Sequence, residues 1–146
     1  LAEVMRRCFE SFARSLDERQ RSGEGAICDL ESLGRQYLAY AAAHPLEYRL
    51  MFGTPWPEPA EHPELVHDAV HAFDVLRGVL RSLYGEGAEM RSQVDLQAMF
   101  IWSTMHGLAS IMQSNAMDCL TLAPGAKAQA PEFVMDMIRR ALGSCR

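Results

Sequence analysis

An all-α helical bundle of about six helices is the fold this sequence predicts, and three observations predict it. Apolar residues recur at three- and four-residue steps in one segment after another. No stretch shows the strict alternation of a half-buried strand, and there is no repeat or heptad run. Gly and Pro collect between the periodic segments, where they end one helix and admit the next. A single domain over residues 1–146 is expected, with its last two helices pairing with a second copy in a four-helix bundle.

The first helix is expected from Leu1 to about Arg19. Leu1, Val4, Met5, Cys8, Phe9, Phe12 and Leu16 form its apolar stripe, and Ser22-Gly23-Glu24-Gly25 ends it. The second runs from about Ala26 to Ala43 and carries Gly34 in its interior. A glycine there costs roughly 1 kcal/mol against alanine, which either a close backbone contact or plain tolerance would explain. Pro45 stops that helix at His44 and opens a short one to Phe52. Gly53-Thr54-Pro55-Trp56-Pro57-Glu58-Pro59 is too proline-rich for helix or sheet. A fourth helix is expected from Pro63 to near Tyr84, closed by Gly85-Glu86-Gly87.

The fifth helix, Ser92 to Met117, organises the rest. At about 1.5 Å per residue it is roughly 39 Å long, against a radius of gyration of roughly 15 Å for a domain of this size. Placed at 100° steps, Ala98, Met99, Trp102, Met105, His106 and Ala109 share one side. Phe100, Thr104, Leu108 and Ile111 share the other. A helix apolar on both sides is covered on both. One side therefore faces its own domain and the other a partner. Thr121 to Ala130 reads as a connector. A last helix from Pro131 to Gly143 carries Phe133, Val134, Met137, Ile138 and Ala141.

Bulk properties narrow the function. Hydrophobic residues make up 49% of the chain, enough for a core and too many for a disordered segment. No apolar run approaches the roughly 18 residues needed to span a bilayer. A formal net charge of −5 lacks the basic footprint of a nucleic-acid grip, so these residues are not expected to bind DNA. Cys8, Cys28, Cys119 and Cys145 form no CxxC, which suits free thiols in a reducing cytoplasm. Leu1 enters in mid-pattern with no Met and no cap, so an upstream segment is expected. The opening residues lack the continuous apolar core of a signal peptide.

Trp102-Ser103-Thr104-Met105-His106-Gly107-Leu108 resembles the Trp…His-Gly signature of the WHG-type C-terminal domain of TetR-family transcriptional regulators. Tyr37-Leu38-Ala39-Tyr40-Ala41, followed by His44-Pro45-Leu46-Glu47-Tyr48-Arg49-Leu50-Met51-Phe52, resembles a second segment of the same family. The resemblance implies an effector-binding and dimerisation domain, a helix-turn-helix domain N-terminal to Leu1, a homodimer, and release of DNA when a small apolar or aromatic effector binds. It implies no enzyme activity and no cofactor.

The residues themselves offer a site. Phe9, Phe12, Tyr37, Met51, Phe52, Phe73, Met99, Trp102 and His106 converge from five helices as large apolar side chains with two polar tips. Such a set either fills a core or leaves an adaptable hole, and nine methionines add flexible filler. His106 suits either a satisfied core histidine or the polar anchor of a pocket. Phe100, Thr104, Leu108, Ile111, Phe133 and Met137 are the expected dimer interface. His67-Asp68-Ala69-Val70-His71 has the spacing of a zinc-protease motif, but Asp is a methylene short of the usual Glu and no third ligand is evident. An alternative reading is therefore a small helical enzyme or carrier using the same pocket, with a metal at His67 and His71. Asp17, Glu18, Asp29 and Glu31 read as surface charge. There is no Gly-rich phosphate loop and no Ser-His-Asp grouping.

Overall fold

A computed structural model of the chain describes residues 1–19 and 23–143. Among these residues the elements are α1 (Ala2–Asp17), α2 (Ala26–Ala43), α3 (Pro45–Gly53), α4 (Pro63–Tyr84), α5 (Ala88–Gln113) and α6 (Ala126–Gly143). Two short 3₁₀ turns, Pro59–Glu61 and Asn115–Cys119, sit in the connections. The described residues contain no strand. Part of the expected Ser22–Gly25 break and Cys145 lie outside the described residues.

Helix boundaries follow the punctuation. Pro45 and Pro63 each stand at the first helical position, where a missing N–H costs nothing. Gly25 and Gly85 take φ of 109° and 101°, a region open to glycine, and flank α2 and α4. Two expectations need correction. The long helix starts at Ala88 rather than Ser92, because good helix formers follow Gly87 directly, and its end at Gln113 leaves Met117 in a 3₁₀ turn. The last helix starts at Ala126, with Pro131 inside it. Gly125, at φ 83°, and its carbonyl, which accepts from the Gln129 N–H at 3.0 Å, set that earlier start.

The core lies where α1, α2, α4 and α5 meet. α1 buries Met5, Cys8, Phe9, Phe12, Ala13 and Leu16, and packs chiefly on α4. On α5 the buried residues are Val94, Ala98, Ile101, Met105 and Ala109. At 100° per residue they fall within an arc of about 80°. Trp102 and His106 flank that arc. Met99 falls one step further and is 50% exposed, so it does not face the core as expected. Gly34 belongs to this packing: a Cβ there would lie 2.6 Å from the Met135 Sδ. α6 closes on α2 through that glycine.

Asp29 is not simple surface charge. Arg19, 6% exposed, donates from Nε and Nη2 to the two Asp29 oxygens at 3.1 and 3.0 Å, and from Nη1 to the Leu16 carbonyl at 2.8 Å. This fork joins the end of α1 to the start of α2. Removing one partner strands a desolvated charge, a larger loss than that of an exposed pair. Asp29→Ala is expected to lower stability by about 2–3 kcal/mol in urea denaturation. Glu31→Ala, which gives up a single 3.5 Å contact with Arg139, should cost under about 1 kcal/mol. Equal losses for the two variants would contradict this assignment.

Candidate functional site

A cavity of about 500 Å³ opens in the middle of the bundle. That is room for a small organic molecule, since ligand pockets run from about 300 to 1,000 Å³. Phe9 and Phe12 from α1, Tyr37 from α2, Met51 and Phe52 from α3, Phe73 from α4, and Trp102 and His106 from α5 all line it. Met99 does not; Met105, six residues further along α5, takes the place expected for it. The wall also reaches further than the sequence suggested. Met135 and Ile138 bring in α6, and Trp56 comes from the proline-rich loop. Trp56 and Val70 line the cavity and are exposed, so they mark its mouth.

Rings hold the space open. Phe52 is the junction, with centroids 5.6 Å from Phe9, 6.0 Å from Phe12, 4.9 Å from Tyr48 and 6.0 Å from Trp102. Phe9 meets Trp56 at 5.4 Å, and Trp102 meets Phe73 at 5.8 Å. Most of these pairs are tilted or edge-on, as ring quadrupoles prefer. Rigid rings meeting edge to face leave gaps that flexible chains would fill. The Trp56 indole N–H donates to the Met51 carbonyl at 3.1 Å and fixes one side of the mouth.

One wall is polar. Tyr37 Oη lies 2.6 Å from Tyr48 Oη, and Tyr48 Oη lies 2.7 Å from His106 Nδ1. Three helices, α2, α3 and α5, are joined by this chain. Tyr48 is 2% exposed and sits behind the lining residues. The sequence reading missed it as a site residue, although it lies one turn before Phe52 and so shares its face.

A model of the tetracyclin repressor-like C-terminal domain matches residues 30–138. The chain belongs to that family. No curated protein and no solved structure matches it. The matched span of the TetR-like domain holds α3, α4 and α5 whole and begins after α1.

Charge is sparse around the cavity of the TetR-like domain. Among the described lining residues Arg77 is the one that carries a formal charge, and its guanidinium lies 5.0 Å over the Phe73 ring. It also donates to Asp74 at 2.8 Å and to Asp95 at 3.4 Å. Burial raises the Tyr37 phenol well above the usual tyrosine range, with neighbouring Tyr48 adding to the rise. Burial pushes Tyr48 up to about 12. The same effect holds the His106 imidazole below its ordinary 6.5. Both phenols stay protonated and His106 stays neutral at neutral pH.

His67 and His71 do not join this site. The His67 side chain is largely exposed and approaches Asp68 at 3.3 Å; His71 approaches Asp17 at 3.1 Å. Among the described residues no group of three His, Cys, Asp or Glu side chains is placed to hold a metal ion. Cys8, Cys28 and Cys119 are free thiols. Among the described residues no helix is long and apolar enough to cross a membrane.

His106 gives the domain a signed pH dependence. Its folded pKa lies below its unfolded value, so the unfolded chain binds more protons between the two. The stability due to neutral His106 is present above about pH 6.5 and is lost as pH falls through the folded pKa. Urea midpoints measured from pH 7.5 down to pH 5 are expected to fall less steeply for His106→Gln than for the wild type. Parallel profiles would show that His106 is not held neutral.

Proposed function

We propose that this chain is the effector-binding and dimerisation domain of a TetR-like transcriptional repressor. A small apolar or aromatic molecule enters the cavity and relieves DNA binding by a helix-turn-helix domain joined ahead of Leu1. The observation that carries the reading is the cavity's position: Phe9, Phe12 and Leu16 of α1 form part of its wall. Anything that fills the cavity presses on the helix that would connect to the DNA-reading head.

α1 is suited to pass on that displacement. Arg6 donates to Asp68 at 2.9 Å and Asp17 meets His71 at 3.1 Å, so two widely spaced points of α1 are tied to one turn of α4. A ligand shifting α4 would carry α1 with it. Couplings of this kind are typically about 1–3 kcal/mol, enough for a repressor to respond. The domain's net charge of −5 supports leaving DNA contact to the other domain. The exposed His67 and His71, held by separate carboxylates, give the enzyme or carrier alternative no support of comparable weight.

The homodimer reading is supported by the far side of α5 and one face of α6. Phe100, Ile111, Phe133 and Met137 are exposed large apolar side chains, and Thr104 and Leu108 are partly exposed beside them. A strip of this kind on two touching helices suits a partner surface better than water. Phe133, 65% exposed, contributes little to the fold of a single copy. Phe133→Arg is expected to convert a micromolar dimer to a monomer in sedimentation velocity while leaving its helical circular dichroism unchanged. In the same preparations, Nile red should brighten on binding the wild type and not on binding Ala69→Trp, whose new ring occupies the cavity. A wild type that sediments as a monomer, or dye binding indifferent to Ala69, would contradict the respective half of this reading.

A further inference from the structure

We infer that the cavity selects an uncharged, flat, largely apolar molecule bearing one hydrogen-bond acceptor, and that the Nε2–H of His106 is the donor that recognises it. The inference rests on the effector-cavity reading and narrows it to a ligand class.

The direction of the buried hydrogen-bond chain sets which atom is left over. Tyr37 Oη and His106 Nδ1 are the two ends of the chain, and a proton run from the Tyr37 end goes from Tyr37 to Tyr48 Oη and from Tyr48 to His106 Nδ1. Run this way, every proton of the chain finds an acceptor. Run the other way, Tyr37 would accept from Tyr48 and its own proton would have no partner among the described residues. Buried polar groups are paired in native structures, so the first direction holds. A neutral imidazole that accepts at Nδ1 carries its proton at Nε2. Among the described residues that nitrogen makes no hydrogen bond, and His106 borders the cavity. The Tyr37–Tyr48–His106 chain thus leaves its donor at His106 Nε2.

Charge argues for the same class. Arg77 would be the natural partner of an anionic ligand, but Asp74 and Asp95 already hold its guanidinium. One cation with two carboxylates leaves that part of the rim net negative. Inside it, rings and thioethers offer an ion no replacement for its water. The cage of edge-on and tilted rings formed by Phe9, Phe52, Phe73 and Trp102 favours a flat aromatic body.

Three probes of one skeleton test this: 2-acetylnaphthalene, which carries a carbonyl acceptor; 2-ethylnaphthalene, nearly the same shape without it; and 2-naphthoate, its anionic counterpart. Affinities for the full chain would be read by equilibrium dialysis at pH 7.5. The expected ranking has the ketone about tenfold tighter than the hydrocarbon, the worth of one hydrogen bond in a dry site. The carboxylate should be weakest. His106→Phe should erase the ketone's advantage while retaining the hydrocarbon; if that variant does not fold, the wild-type ranking remains decisive. Ketone and hydrocarbon binding equally, or the carboxylate binding tightest, would overturn this inference and leave the cavity reading standing. Binding of none of the three would overturn both.

Discussion

The hydroxyl of Tyr48 is the point on which this structure turns. It lies between Tyr37 and His106, so a single oxygen joins α2, α3 and α5. A buried phenol without partners would cost more than any one ring contact around it contributes. α3 is short, and Tyr48 and Met51 are its buried residues. With Tyr48 fixed, Phe52 is set one turn later at the centre of the ring cluster. The position of Phe52 then decides how Phe9, Phe12 and Trp102 pack, and so whether the centre of the bundle is filled or open.

The cavity follows from what kind of residue converges there. Six helices bring aromatic rings and branched side chains to one place, and rings that meet edge to face do not close the last space. The methionines that share the wall, Met51, Met105 and Met135, are the adaptable part of it. Gly34 allows Met135 to come within van der Waals contact of the α2 backbone, so α6 joins the wall instead of standing off from it. Core and candidate site are therefore the same residues. In the proposed repressor, a ligand would complete the packing that α1 shares with α4, and this is how occupancy would reach the helix nearest the DNA-reading head.

Much of this was legible in the sequence because punctuation and chemistry coincided. Pro45, Pro63 and Gly85 bound α2, α3 and α4 where expected, and eight of the nine residues proposed for the site line one cavity. Where the reading failed, the cause was local geometry beyond the reach of pattern. Met99 shares an apolar character with Met105 but sits beyond the edge of the buried arc of α5, and periodicity alone does not locate that edge. Pro131 reads as a helix start, yet α6 begins five residues earlier. Asp29 is polar and follows a glycine-rich break, so nothing in its own segment announces that Arg19 reaches it from the end of α1. Tyr48 was hidden by its neighbours: in a segment of apolar residues a phenol reads as one more ring, and only three-dimensional placement between Tyr37 and His106 shows what its oxygen does.

In the proposed site a one-way chain of buried hydrogen bonds leaves a neutral His106 with its proton on Nε2, at the wall of a largely apolar cavity. Long-range ¹H–¹⁵N correlation of the imidazole at pH 7 reads this directly, with His106→Gln assigning the signals. An unprotonated Nδ1 and a protonated Nε2 are expected at pH 7. A protonated Nδ1, or an imidazolium at pH 7, would contradict that arrangement.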